Sequence, residues 1–178
     1  MKTLSRRAFM TAVAGASGAL ALPRLAFAEA RGPRALNFVH THTGERLAVE
    51  YFGGDAYVPD ALDAVNHFLR DFRTDDVHAI DPGLLDVLHS LIDLTRSSRP
   101  FQVISGYRSP ATNEMLRHRS EGVAAGSLHM QGQAIDIRLA DVPLAGLRRA
   151  ALAVGRGGVG YYPASDFVHV DTGRVRTW

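Results

Sequence analysis

The sequence predicts an α+β fold: a single domain in which a central antiparallel β-sheet carries packed helices. Three observations predict it. Runs with two-residue alternation, at residues 36–52, 100–105, 133–139 and 167–172, are interspersed with runs whose apolar residues recur at three and four. The 178 residues are enough for one ordinary domain and too few for two comfortable ones. Two strand runs also carry histidine and aspartate: SLHMQGQAIDIRL at residues 127–139 and DFVHVD at residues 166–171.

Composition narrows the chemistry. Apolar residues make up 46% and charged residues 21%, as in soluble globular proteins. There is no cysteine, which excludes disulfides, thiolate metal sites and cysteine nucleophiles together. Lys2, Arg6, Arg7 and Arg24 carry four of the 20 positive charges, so residues 29–178 hold 16 basic against 18 acidic side chains. That balance gives no reason to expect a nucleic-acid partner.

Residues 1–28 read as an export signal. Lys2, Arg6 and Arg7 precede an apolar run over 8–22, and Ala26-Phe27-Ala28 supplies an A-x-A cleavage site. Ser5-Arg6-Arg7-Ala8-Phe9-Met10 is similar to the twin-arginine signal, which implies a periplasmic protein exported already folded. An uncleaved membrane anchor is the alternative, but the run is short and rich in Ala and Gly. No stable membrane span is expected after processing, and the protein is expected to be a monomer. Residues 29–34 form a linker and residues 35–178 the folded domain.

The elements follow in order. Residues 36–40 and 46–52 flank a polar turn at Thr43-Gly44 and predict a β-hairpin. His40 and His42 lie on its strand end and are expected to be solvated. Pro59 opens a helix carried by Leu62, Val65, Phe68, Leu69 and Phe72. A polar loop over 73–78 follows, in which Asp75, Asp76 and His78 are solvated. Asp81-Pro82 then supplies an N-cap and a first-turn proline for a helix to about Arg96. A strand over 100–105 ends at Gly106, and Ser109-Pro110 opens a short helix to about Arg117. Residues 120–127, rich in Gly and Ala, are expected to be a mobile loop beside the site. The strand at 133–139, a helix over 144–154 behind Pro143, strands near 159–162 and 167–172, and a Gly/Arg tail ending at Trp178 complete the chain.

Side chains alternate across a strand, so Ile135, Ile137 and Leu139 share the core face while Ala134, Asp136 and Arg138 share the other. In the last strand, Val168 and Val170 face the core and Phe167, His169 and Asp171 the site. His129 folds back over the strand because Gly132 permits a tight bend. If these strands are neighbours, Asp136, His169 and His129 meet at one ion, as three protein ligands for one Zn2+ with a fourth position open. Two histidines and a carboxylate also hold Fe(II) in oxygenases, which usually place the first two ligands closer in sequence.

Three stretches carry a resemblance: Ser105-Gly106-Tyr107-Arg108-Ser109, Ser127-Leu128-His129-Met130-Gln131-Gly132-Gln133-Ala134-Ile135-Asp136 and Asp166-Phe167-Val168-His169-Val170-Asp171. Together they resemble the zinc peptidases that cut D-alanyl bonds in bacterial cell walls, a fold group that includes lysostaphin-type enzymes and hedgehog domains. The ending HVDTGRVRxW makes the chain most similar to the MepK/YcbK-type periplasmic murein endopeptidases, over roughly residues 34–178. The resemblance implies His129, Asp136 and His169 as zinc ligands, Asp166 as general base where many members have glutamate, and Arg108 as the substrate-binding and oxyanion-stabilising cation. On a regular strand, residues three apart do not face the same way, so Asp171 rivals Asp166 as base; Asp166 is preferred, with Asp171 orienting an imidazole. The implied substrate is peptidoglycan, as stem peptides or crosslinks. A D,D-carboxypeptidase and a non-catalytic, metal-containing wall-binding protein are the alternatives.

Overall fold

In the computed structural model, which describes residues 32–119 and 123–178, the expected hairpin pairs β1 (Arg34–His40) with β2 (Arg46–Phe52). The expected signal peptide, and residues 29–31 of the expected linker, lie outside the described residues. After the hairpin come α1 (Pro59–Phe68), α2 (Pro82–Thr95), β3 (Phe101–Ser105), α3 (Pro110–Arg119), β4 (Ala134–Arg138), α4 (Leu144–Val154), β5 (Gly158–Tyr162), β6 (Phe167–Asp171) and β7 (Arg176–Thr177). Prolines open α1, α2 and α3 where their missing N–H costs nothing. Asp81 caps α2, its carboxylate accepting from the Gly83 N–H at 2.8 Å.

The strands form one seven-stranded sheet in the order β2-β1-β3-β4-β6-β5-β7. The expectation of a wholly antiparallel sheet needs correction, because β1 pairs with β3 in parallel and β5 with β7 in parallel. The chain leaves β2, passes through both α1 and α2 and re-enters the sheet beside β1, so a crossover replaces a hairpin. After β6 the chain reverses and lies on the free edge of β5, which already runs opposite to β6; that edge strand is therefore parallel to β5. The expected tail thus contains a strand.

Four leucines of α2, Leu84, Leu85, Leu88 and Leu91, are fully buried with Leu147 of α4. They share a core with Leu36, Phe38, Phe101, Val103, Ile135, Ile137, Val168 and Val170 of the sheet. Each large apolar side chain buried this way contributes roughly 1.5–3 kcal/mol against conformational entropy. The opposite face of β4 and β6 carries Asp136 and His169, so the apolar layer fixes which way the polar side chains point.

Two local expectations fail. His40 is buried, not solvated: its ring packs edge-on against Phe68 and Phe72, and its Nδ1 accepts from the backbone N–H groups of His42 and Thr43. Burial pushes its imidazole down to about 4, so it is neutral at pH 7. The helix opened by Pro59 ends at Phe68, short of Phe72. The carboxylate of buried Asp71 accepts from the Ser109 N–H at 2.9 Å and the Ser109 hydroxyl at 2.7 Å, and so draws the following loop toward the start of α3.

Gly132 is required by space as well as by its φ of 66°: a Cβ there would lie 2.0 Å from the Ala79 carbonyl oxygen. Gly44 has a φ of 75° with nothing nearby. Gly44→Ala is expected to cost about 1 kcal/mol, the left-handed penalty alone, and Gly132→Ala at least about 3 kcal/mol. Urea denaturation of both variants checks this; equal losses would show that the close approach at Gly132 carries no weight.

Candidate active site

The antiparallel register of β4 and β6 sets Asp136 directly opposite His169. Side chains so paired start roughly 5 Å apart at Cβ, a separation from which both reach one ion. The third side chain comes from a single 3-10 turn, Leu128–Gln131, whose N-cap Ser127 accepts from the His129 N–H at 3.3 Å. Left-handed Gly132 ends that turn and returns the chain into β4.

Three ligand atoms converge. His129 Nε2 lies 3.2 Å from His169 Nδ1 and 3.3 Å from Asp136 Oδ1, and His169 Nδ1 lies 2.9 Å from Asp136 Oδ1. Ligand atoms roughly 2.0–2.1 Å from a tetrahedral ion stand roughly 3.3 Å from one another, so the triangle is close to the size a metal needs. The tautomers agree with that. The Gly106 carbonyl can only accept, so His129 Nδ1 carries the proton and donates to it at 2.6 Å. His169 Nε2 donates to the Asp171 carboxylate at 3.1 Å. Both lone pairs therefore point toward Asp136 Oδ1 with no proton of their own to share. Among the described residues, this is the one cluster of three His, Cys, Asp or Glu side chains whose ligand atoms meet, and all three residues are buried.

The electrostatics are those of a contested lone pair. Burial pushes the His129 imidazole down. Burial also acts on His169, but Asp136 and Asp171 outweigh it and push that imidazole up. The Asp136 carboxylate is held well below the usual range; burial opposes this and the two imidazoles override it. A metal ion held there would compete with a proton for the same position.

Arg108 reaches the site from the loop after β3. Its Nε donates to the Ser105 hydroxyl at 2.9 Å, its Nη2 bonds the second oxygen of Asp136, and its backbone N–H donates to the His129 carbonyl. Asp171 is fully buried and holds its charge through Arg176, whose Nη2 donates at 2.7 Å, and through the Gly158 and Gly173 N–H groups. The ligand cluster opens into a cavity of about 500 Å³, a size suited to a small molecule or a few residues of peptide. One wall is aromatic: Tyr162 stacks on Phe167 at 4.6 Å, and the Trp178 indole donates to the Tyr162 hydroxyl at 2.6 Å. Gly160 leaves room for that indole, since a Cβ would meet its ring at 2.8 Å.

The structure brings His129, Asp136, His169 and Arg108 together, and it places Asp171 against the His169 ring. Asp166 stands apart. It follows the turn Pro163–Ser165 in a left-handed conformation, is largely exposed, and accepts from Arg138 Nη1 at 2.7 Å. Its chain neighbours Ser165 and Phe167 line the cavity. Of the run expected to be a loop, Val123, Ala124, Gly126 and Ser127 also line it; residues 120–122 lie outside the described residues. His42, expected to be solvated, also lines the cavity, as do Arg73 of the polar loop and Arg176 and Trp178 of the expected tail, none of which the sequence marks as a site residue. Only the ending GRVRxW offered a signal for the last pair.

The family model described as Peptidoglycan L,D-endopeptidase MepK matches residues 28–178. The chain is 46% identical over 176 residues to the Peptidoglycan L,D-endopeptidase MepK of Escherichia coli (strain K12), covering 98% of this chain and 97% of that protein. It is 44% identical over 155 residues to the Probable peptidoglycan L,D-endopeptidase MepK of Haemophilus influenzae, covering 86% and 83%.

The Asp171 contact makes a separate prediction. Asparagine there keeps one oxygen for the Gly158 and Gly173 N–H groups and sets an amide N–H₂ against His169 Nε2–H. Asp171→Asn is expected to weaken metal binding at this cluster about tenfold to a hundredfold with the fold retained, measured by chelator competition and a thermal melt. Unchanged affinity would show that Asp171 does not orient the imidazole.

Proposed function

The chain belongs to the peptidase family of the peptidoglycan L,D-endopeptidase MepK, and from that premise we propose that it is a zinc-dependent endopeptidase that cuts peptide crosslinks in peptidoglycan. The observation that carries the reading is the convergence of His129 Nε2, His169 Nδ1 and Asp136 Oδ1 at the floor of a peptide-sized cavity. His129, Asp136 and His169 would hold one Zn2+ and leave a coordination position free. When bound, zinc supplies a Lewis acid for the scissile carbonyl and brings the pKa of water near neutrality.

The protein's own residues do the rest. Burial in a water-poor floor strengthens every charge interaction there. Arg108 is fixed on two sides by Ser105 and Asp136, and its Nη1 has no partner among the described residues, so that N–H remains to stabilise the developing oxyanion. Asp166 acts as general base. Its backbone sits between two cavity-lining residues, and to act there its carboxylate must leave Arg138 and turn toward the cavity. There it takes the proton from the attacking water and passes it to the leaving amine. Asp171, spent on His169 and Arg176, is the poorer base.

The resemblance to enzymes that cut D-alanyl bonds is narrowed by relatives named for L,D bonds, so crosslinks of that type are the first substrate to examine, ahead of a terminal D-alanine. The twin-arginine-type start supports a periplasmic location. Among the described residues no helix is long and apolar enough to cross a membrane.

Purified sacculi digested with the wild-type enzyme are expected to release new muropeptides, identified by mass. His169→Ala and Asp136→Ala lose both zinc and hydrolysis. Asp166→Asn keeps zinc and loses about a hundredfold or more in rate. Full hydrolysis by Asp136→Ala would sink the reading, and a wild-type rate in Asp166→Asn would remove that residue from the role of base.

A further inference from the structure

Four arginine or histidine side chains line the cavity outside the metal ligands: His42, Arg73, Arg108 and Arg176. Two of the arginines are already engaged. Arg108 holds Asp136 and Ser105, and Arg176 holds Asp171 with its guanidinium 4.8 Å over the Trp178 ring. Arg73 is different. Its guanidinium makes no hydrogen bond or ion pair among the described residues and lies 4.1 Å over the Phe72 ring.

The backbone of Arg73 is nevertheless held in place. Its backbone N–H donates to Asp71 Oδ1 at 3.0 Å, and the other Asp71 oxygen is taken by the N–H and hydroxyl of Ser109. Phe72 in turn stacks on the His42 ring at 4.4 Å and an interplanar angle of 13°. His42 sits at the hairpin turn that Thr41 ties to the Val103 carbonyl through both its N–H and its hydroxyl. The result is an exposed cation stacked on an aromatic pair at the cavity wall, its guanidinium unbonded among the described residues and its one nearby carboxylate, Asp71, occupied by Ser109 and the Arg73 backbone.

The surroundings favour an anion. Arg73 is held below its ordinary range by partial burial and by the like charges of Arg108 and Arg119; it remains charged at neutral pH. The opposing carboxylate in its neighbourhood, Asp71, is buried and saturated. A guanidinium with five donors and a free fork is suited to a carboxylate.

We propose that Arg73, on its Phe72–His42 platform, is the specificity residue that binds the free carboxylate of the substrate residue whose nitrogen lies in the scissile bond. This rests on the endopeptidase reading and deepens it. In an L,D crosslink between two diaminopimelates, the D centre that gives its nitrogen to the bond keeps a carboxylate on the same carbon. With the scissile carbonyl at the metal ligands, that carboxylate lies a few bonds away, inside the same cavity. Arg73 therefore distinguishes a crosslink with a free carboxylate from one in which that group is amidated. It touches a part of the substrate that does not change charge in the reaction, so its loss appears mainly in KM.

The test uses two synthetic peptides joined by an L,D diaminopimelate crosslink, one with the carboxylate free and one with it converted to a carboxamide. Wild-type enzyme is expected to prefer the free carboxylate by about tenfold to a hundredfold in kcat/KM. Arg73→Gln should lose that preference by a similar factor on the carboxylate peptide, chiefly through KM, while cleaving the amide as the wild type does. Arg73→Lys should recover part of it, with zinc content unchanged in both. Equal losses on both peptides, or a preference that persists in Arg73→Gln, would overturn the assignment, as would a wild-type enzyme indifferent to amidation. Cleavage of neither peptide nor sacculi by the wild type would instead overturn the endopeptidase reading on which it stands.

Discussion

The register between β4 and β6 is the constraint on which the site depends. It sets Asp136 opposite His169, and a slip of either strand by one residue would turn that strand's site residue into the apolar core. The register is in turn imposed by that core. Ile135 and Ile137 on one strand, and Val168 and Val170 on the other, are buried beneath α2 and α4 and admit no polar neighbour. Hydrophobic burial thus supplies the precision of a polar site without touching its chemistry.

Around that pair, each ligand is oriented by a group that uses its other end. The Gly106 carbonyl fixes the His129 proton, Asp171 fixes that of His169, and Arg108 takes the second oxygen of Asp136. Asp171 is held by Arg176 and two backbone N–H groups, so the end of the chain restrains a ligand it does not touch directly. Burying this many charges is costly, and it is tolerated because nearly every lone pair and proton is matched. Among the described residues around the cavity, what is left unmatched is the point between the three ligand atoms, the Nη1 of Arg108 and the guanidinium of Arg73.

Much of this was legible in the chain. Strand alternation gave the faces of residues 133–139 and 167–172, and the prolines and Asp81 marked helix starts, because these signals are local. The three ligands were legible because His129, Gly132 and Asp136 lie in one short segment and His169 in a strand with only one polar face. Pairing order was not local. The parallel contacts of β1 with β3 and β5 with β7 depend on which edge the returning chain meets, and no short window records that. The same limit hid β7, which is two residues long, and the role of Arg176. The resemblance implies Asp166 as base, yet its partner in the fold, Arg138, comes from a neighbouring strand and is invisible in the motif. Arg73 read as one charge in a polar loop; only the fold puts it on the cavity wall beside His42.

The central claim is that a preformed triangle of two imidazole nitrogens and one carboxylate oxygen holds a single metal ion. X-ray absorption at the zinc edge of the zinc-loaded protein tests it most directly. One zinc per chain is predicted, with two imidazole ligands and oxygen ligands at about 2.0–2.1 Å, and one imidazole lost from the spectrum in His169→Ala. A wild-type spectrum without imidazole scattering, or one that His169→Ala leaves unchanged, would contradict it.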